Sequence, residues 1–67
     1  MNNFELRVNK DTPNIAYLAL PAHPGIGTHG AVKKTLCLAE FISGYQGAEV
    51  NLDFDEFGEL IGIEILS

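Results

Sequence analysis

Apolar and polar residues alternate along several stretches of this chain, and a period of two is typical of half-buried β-strands. The alternation is cleanest over residues 49–55, where it places three apolar side chains on one face: Val50, Leu52 and Phe54. A run rich in β-branched residues follows over 59–66, and Gly58 between the two supplies the positive φ that a short turn needs. Residues 50–66 are therefore predicted to form one β-hairpin.

The N-terminal part of the chain predicts two further strands. Residues 4–9 alternate in the same way, so Phe4, Leu6 and Val8 are expected to face inward. Turn-forming residues follow, and the apolar run 15–20 is too short for a helix by itself. We interpret it as a second strand, buried on both faces.

The middle of the chain is less regular. Residues 21–30 contain two prolines and three glycines, which predicts a long loop. Residues 31–43 fit either a loose helical stripe or a strand, and we favour a strand at about 32–38 followed by one helical turn. The whole chain, 1–67, is thus predicted to be a single all-β domain: a small antiparallel β-meander sheet of four to five strands.

The C-terminal segment also resembles a known family. Residues 53–66 read Asp-Phe-Asp-Glu-Phe-Gly-Glu-Leu-Ile-Gly-Ile-Glu-Ile-Leu. This is similar to the C-terminal signature of a small bacterial domain-of-unknown-function family, number 2283, and residues 14–20 resemble that family more weakly. The resemblance implies a small β-meander and brings no established activity.

Chain length and cysteine content predict self-association. A core in a chain of 67 residues contributes only about 3–5 kcal/mol, so small domains usually add disulfides, a metal or a second subunit. Cys37 is the only cysteine, which excludes an internal disulfide and fits a reducing compartment. We therefore expect a homo-oligomer, a dimer or higher, with a possible protein partner. The polar N-terminus and the lack of an apolar run of about 20 residues predict a soluble, cytoplasmic protein.

The charge balance disfavours two classes of partner. Nine acidic residues against four basic ones give a net charge of −5. A nucleic-acid-binding protein normally presents a basic stripe to the phosphates, and Lys33-Lys34 is too little to form one. The sequence therefore predicts binding neither to nucleic acid nor to an anionic membrane.

Three side chains suggest an alternative function. His23, His29 and Cys37 are borderline-soft ligands for zinc, copper or nickel, although their spacing is not that of a known structural site. The loop also contains Gly25-Ile-Gly-Thr-His-Gly30, a literal G-x-G-x-x-G, but the strand–helix–strand context of dinucleotide binding is missing. No cofactor is therefore predicted.

The remaining candidates are structural. Tyr45 and Phe57 are candidate interface residues, Phe57 because it falls at a turn, although a core position is the more common place for a phenylalanine. Glu64, alone among isoleucines and glycine, is predicted to be buried and paired with Arg7 or a lysine across the sheet. No residue is assigned a catalytic role. The sequence favours a non-enzymatic, self-associating binding or regulatory module; the alternative is a small metal-binding protein or minor catalyst using His23, His29 and Cys37.

Overall fold

A computed structural model describes residues 3–67, which form one antiparallel sheet of five strands. The strands are β1 Glu5–Val8, β2 Ile15–Ala19, β3 Lys34–Cys37, β4 Glu49–Phe54 and β5 Leu60–Leu66, and a 3₁₀ turn spans Leu38–Glu40. Their order across the sheet is β1-β2-β5-β4-β3. The all-β, antiparallel prediction is confirmed. Among residues 3–67 no helix has the length and apolar character needed to cross a membrane.

The predicted strands are found close to their expected positions. β4 and β5 form the C-terminal hairpin, and β3 followed by the 3₁₀ turn matches the strand and helical turn favoured for the ambiguous middle segment. The loop from residue 20 to residue 33 contains the predicted irregular segment. It allows β2 to pair with β5 rather than with β3, so β5 is the central strand.

One face of the sheet is apolar across all five strands. The strand register aligns one continuous row across the sheet: Leu6, Leu18, Ile63, Leu52 and Leu36. A second row lies beside it: Val8, Ala16, Ile65 and Val50. The prediction that Val50, Leu52 and Phe54 share a face is confirmed.

The opposite face is mostly polar, because alternate side chains point to opposite sides of a strand. One of its rows runs through Glu5, Ala19, Gly62, Asp53 and Thr35, and the next through Arg7, Tyr17, Glu64, Asn51 and Cys37. Every acidic residue of the five strands lies on this face. We call the two sides the apolar face and the polar face.

The prediction that Phe4, Leu6 and Val8 face inward is wrong. Their exposed fractions are 66, 65 and 52 %, because β1 is an edge strand and nothing in residues 3–67 covers this end of the apolar face. The expectation that β2 is buried on both faces is also wrong, since of its residues only Ala19 is buried and the rest are half-buried. Apart from Ala19, Ile61 is the one apolar side chain with a buried environment among the described residues.

A β-bulge explains why Ile61 is so well enclosed. Asp53 is opposite Gly62 whereas Phe54 is opposite Leu60, so Ile61 is the extra residue of β5. A bulge of this kind brings two consecutive side chains against one residue of the neighbouring strand. Ile61 is completely buried there, and the bulge concentrates what core the chain has at the turn end of the hairpin.

Asp55 organises the turn between β4 and β5. Its carboxylate Oδ1 accepts hydrogen bonds from the backbone N–H groups of Phe57 and Glu59, both at 2.9 Å. Its backbone N–H donates to the Glu59 carbonyl, and Gly58, with φ of 81°, donates to the Asp55 carbonyl. The positive φ predicted for this glycine is confirmed.

We expect Asp55→Ala to lower the free energy of unfolding by about 2 kcal/mol, because two backbone donors lose a charged acceptor. Urea denaturation at a fixed protein concentration measures the change. Glu56→Ala, an exposed acidic neighbour, is the matched control and should have little effect. An equal loss in both variants would contradict the assigned role of Asp55.

Candidate functional site

The polar face carries a hydrogen-bonded cluster that spans three strands. The Tyr17 hydroxyl of β2 donates to Asp53 Oδ2 of β4 at 3.0 Å, and the Thr35 hydroxyl of β3 donates to Asp53 Oδ1 at 2.8 Å. Both oxygens of the Asp53 carboxylate are therefore engaged. The cluster ties β2, β4 and β3 together independently of the backbone ladder.

Gly62 makes the Tyr17–Asp53 hydrogen bond possible. This bond joins β2 to β4, and β5, which contains Gly62, lies between these two strands. The Tyr17 side chain crosses directly over Gly62, and a Cβ atom at that position would collide with the Oη and Cζ atoms of Tyr17. A glycine inside a strand often marks such a close approach. Only a residue without a side chain lets the Tyr17 ring lie flat enough to reach Asp53.

The environment of Tyr17 keeps its phenol protonated. Burial, the hydrogen bond to Asp53 and the negative charges of Asp53 and Glu64 raise the pKa of Tyr17 from 10.0 to about 12. Each of these disfavours the phenolate, which would have to lie beside two carboxylates. Tyr17 is therefore a neutral hydrogen-bond donor that holds the sheet, and its chemistry is not that of a base or nucleophile.

His23 is held against this cluster by the loop that follows β2. Its exposed fraction is 8 %, and its ring meets the Tyr17 ring edge-on, with centroids 5.9 Å apart and an interplanar angle of 83°. The Gly25 backbone N–H donates to His23 Nδ1 at 2.9 Å. In the neutral ring the proton is then on Nε2, and the lone pair of Nδ1 is used to accept this hydrogen bond. Neither nitrogen therefore offers a free lone pair to a metal ion in this arrangement.

The other two candidate metal ligands lie elsewhere. His29 is exposed on the loop, whereas Cys37 is half-buried at the end of β3, opposite Asn51. No group of three or more histidine, cysteine or acidic side chains within residues 3–67 is close enough to hold a metal ion. The metal-binding set of His23, His29 and Cys37 stays a prediction that the chain alone does not assemble.

A groove opens beside His23 where the loop approaches the start of β1. It is lined by Asn3, Phe4, Glu5, Ala19, His23, Pro24 and Gly25. Within residues 3–67 no acceptor lies within hydrogen-bond distance of His23 Nε2, and no buried side-chain nitrogen or oxygen in this part of the chain lacks a partner. Because no acceptor within residues 3–67 satisfies Nε2 and it is not a buried unpaired atom, we infer that Nε2 is accessible from the groove.

The two candidate interface residues have different environments. Phe57 is 85 % exposed at the tip of the β4–β5 turn, so the more common core position does not apply to it. The half-buried Tyr45 hydroxyl donates to the Ala48 carbonyl and closes its own loop. That either residue contacts another molecule stays a prediction.

Glu64 does not pair with Arg7 or a lysine. Tyr17 separates Glu64 from Arg7 in their common row, and the Arg7 guanidinium instead contacts Glu5 at 2.8 Å on the exposed edge. Glu64 Oε1 accepts a hydrogen bond from the Asn51 amide at 3.3 Å.

The roles of Tyr17 and Asp53 were not predicted from the sequence. The usable signals were a tyrosine, Tyr17, in an otherwise apolar strand and a glycine, Gly62, inside another strand.

Comparison with known proteins identifies a family and no relative of known role. The model of the family described as "Protein of unknown function (DUF2283)" matches residues 12–67, so the chain belongs to this family. The match includes β2 to β5, and β1 precedes it. No curated protein and no solved structure matched the chain.

We expect Gly62→Ala to lower the free energy of unfolding by at least about 2 kcal/mol, because the methyl group displaces Tyr17 and breaks its bond to Asp53. A Tyr17→Ser background removes the three atoms nearest to this methyl group, so the cost should largely disappear. Denaturant unfolding of the four proteins of this double-mutant cycle measures the coupling. Equal costs in both backgrounds would contradict the proposed collision.

The raised pKa of Tyr17 predicts a loss of stability in alkali. Because folding favours the protonated phenol, its contribution is fully present below pH 10 and declines as pH rises through about 12. Ultraviolet absorbance of the tyrosinate in a Tyr45→Phe background, where Tyr17 is the remaining tyrosine, measures the titration. Asp53→Asn should lower this pKa. A Tyr17 that ionises near pH 10 in the folded protein would contradict the cluster.

Proposed function

We propose that this DUF2283 protein is a non-enzymatic binding module that self-associates, with the apolar faces of two copies packed against each other. The observation that carries the proposal is the uncovered apolar face, with Leu6, Val8 and Ile65 exposed to 65, 52 and 38 %. Burial of apolar surface is the main favourable term in protein association. Because this aliphatic surface extends across all five strands, packing a second layer of protein against it is favourable.

The shape of the chain supports this proposal. Its dimensions are 37 × 30 × 18 Å, which describe a plate rather than a sphere. Stable domains normally pack two layers of secondary structure around a core, and sheets that pack face to face are about 10 Å apart. One five-stranded sheet supplies one layer, so a second copy of the chain would complete a β-sandwich.

The accessible surface supports it quantitatively. A compact monomer of 7.3 kDa exposes about 4,200 Å², whereas this chain exposes 4839 Å². Its radius of gyration, 12.4 Å, also exceeds the roughly 11 Å of a compact chain of this length. The excess surface, about 600 Å², approaches the roughly 800 Å² that each partner buries in a standard interface.

The distribution of charge favours a second copy as the occupant. The chain carries a net charge of −5, which opposes the approach of two copies in most orientations. The acidic residues of the strands all lie on the polar face, however, and Lys34 is the charged strand residue on the apolar face. Face-to-face packing therefore buries no strand carboxylate and directs both polar faces outward, where they can bind partners.

The test is the molar mass in solution, measured by light scattering after size exclusion. The wild-type protein should have twice the 7.3 kDa chain mass. The double variant Leu6→Glu/Val8→Glu should be monomeric, because it puts two carboxylates on the apolar face at positions that are exposed in the single chain. Arg7→Glu adds a carboxylate to the same strand on the polar face and should leave the dimer intact.

A monomeric wild-type protein would overturn the proposal, and so would a dimer that tolerates the double variant. A chelator provides a further discrimination. Dissociation on removal of metal would favour the alternative of a metal-binding protein that uses His23, His29 and Cys37 between copies. The proposed interface requires no metal, so its mass should not change.

A further inference from the structure

We propose that the groove beside His23 binds an extended, basic peptide segment of a partner protein. The groove is a recess on the polar side of the molecule, next to edge strand β1. This proposal names a ligand class for the binding module proposed above, but its polar contacts, His23 and Glu5, lie away from the apolar face. The two proposals can therefore fail separately.

His23 supplies the first contact. The ring is more than nine-tenths buried, and the Gly25 N–H fixes the proton of the neutral ring on Nε2. His23 lines the groove, and its Nε2–H has no acceptor among residues 3–67. A donor held rigidly in this way fits a carbonyl oxygen of a peptide backbone, and the ring does not have to reorganise to bind it.

Glu5 supplies the charge selectivity. Glu5 lines the groove, and within residues 3–67 its carboxylate is bound by the guanidinium of Arg7 in an exposed ion pair. Exposed pairs of this kind contribute little, so a ligand cation can share or replace Arg7 at small cost. Among residues 3–67 no lysine or arginine is a lining residue of the groove, and Arg7 approaches it only through its contact with Glu5. A lysine or arginine side chain is therefore favoured and an acidic ligand is repelled, in keeping with the net charge of −5.

The walls of the groove suit the stem of such a side chain. Phe4 is 66 % exposed and Pro24 is also exposed, so both present apolar surface at the rim. Lysine and arginine place their methylene stems along apolar surface while the charged group stays at a polar partner. Phe4 and Pro24 can hold the stem while Glu5 holds the charge.

The neighbouring edge strand favours an extended ligand. β1 pairs on one side with β2, and its outer backbone groups have no strand partner in residues 3–67. Edge strands of this kind bind extended peptides through backbone hydrogen bonds, with alternate side chains in adjacent pockets. The spacing of two residues between side chains on one face then suits a peptide in which basic and apolar residues alternate.

The experiment titrates the protein with the hexapeptide acetyl-(Lys-Val)₃-amide and measures affinity by calorimetry, with the acidic peptide acetyl-(Glu-Val)₃-amide as the matched ligand control. We expect the basic peptide to bind and the acidic one not to bind. His23→Phe keeps a ring against Tyr17 but removes both the Nε2 donor and the Nδ1 acceptor of the Gly25 N–H, whereas Glu5→Gln removes only the charge. Each should weaken binding about fivefold to tenfold.

His29→Ala and Glu56→Gln are the control variants, because they remove an exposed histidine and an exposed carboxylate outside the groove, and both should bind as wild type does. No binding of the basic peptide, equal binding of the acidic one, or equal weakening by Glu5→Gln and Glu56→Gln would overturn the proposal. Glu5 is exposed, so its variant tests the site even if His23→Phe fails to fold.

The molar mass is measured on the same samples. A monomer that still binds the peptide through His23 and Glu5 would refute self-association and support the groove. A dimer that binds neither peptide would support self-association and refute the groove.

Discussion

The arrangement of all five strands in a single layer is the constraint on which the rest of the structure depends. The five strands lie between residues 5 and 66 and form one layer. A single sheet has two faces, and no helix or second sheet among residues 3–67 covers either. The chain therefore depends on local devices for order, namely the bulge that buries Ile61, the Asp55 turn and the polar cluster, while its largest apolar surface stays open.

β5 is where these devices meet. As the central strand it carries alternate isoleucines on the apolar face, while Gly62 and Glu64 lie on the polar face. Because Gly62 has no side chain, the Tyr17 side chain crosses over β5 and donates its hydrogen bond to Asp53. This bond fixes the register of β2 relative to β4, although β5 lies between them. A slip of one residue would move Tyr17 off the glycine and would exchange the two faces. The polar contact thus helps to specify which face is apolar.

The sequence predicts local features well and long-range ones poorly. Alternation between residues 49 and 55 identified β4, and Gly58 identified the turn, because both signals lie within a few residues. The pairing of β2 with β5 joins Ile15 to Leu66, and no local pattern specifies it. Phe4, Leu6 and Val8 alternate as a buried strand does, yet they are exposed, because alternation reports that a face is apolar and not that anything covers it. The Tyr17–Asp53 hydrogen bond could not be predicted either, because it depends on the positions of β2 and β4 in the sheet.

The segment on which the family resemblance rests can be explained by structure alone. Gly62 admits Tyr17, Ile63 and Ile65 extend the two apolar rows, and Glu64 accepts from Asn51 on the polar face. Each of these residues is accounted for by its position in the central strand. The signature therefore describes the end of β4, the turn and the central strand. The groove proposed to bind a basic peptide lies outside this segment, because Phe4 and Glu5 at its wall precede residue 12 and His23 lies in the loop after β2.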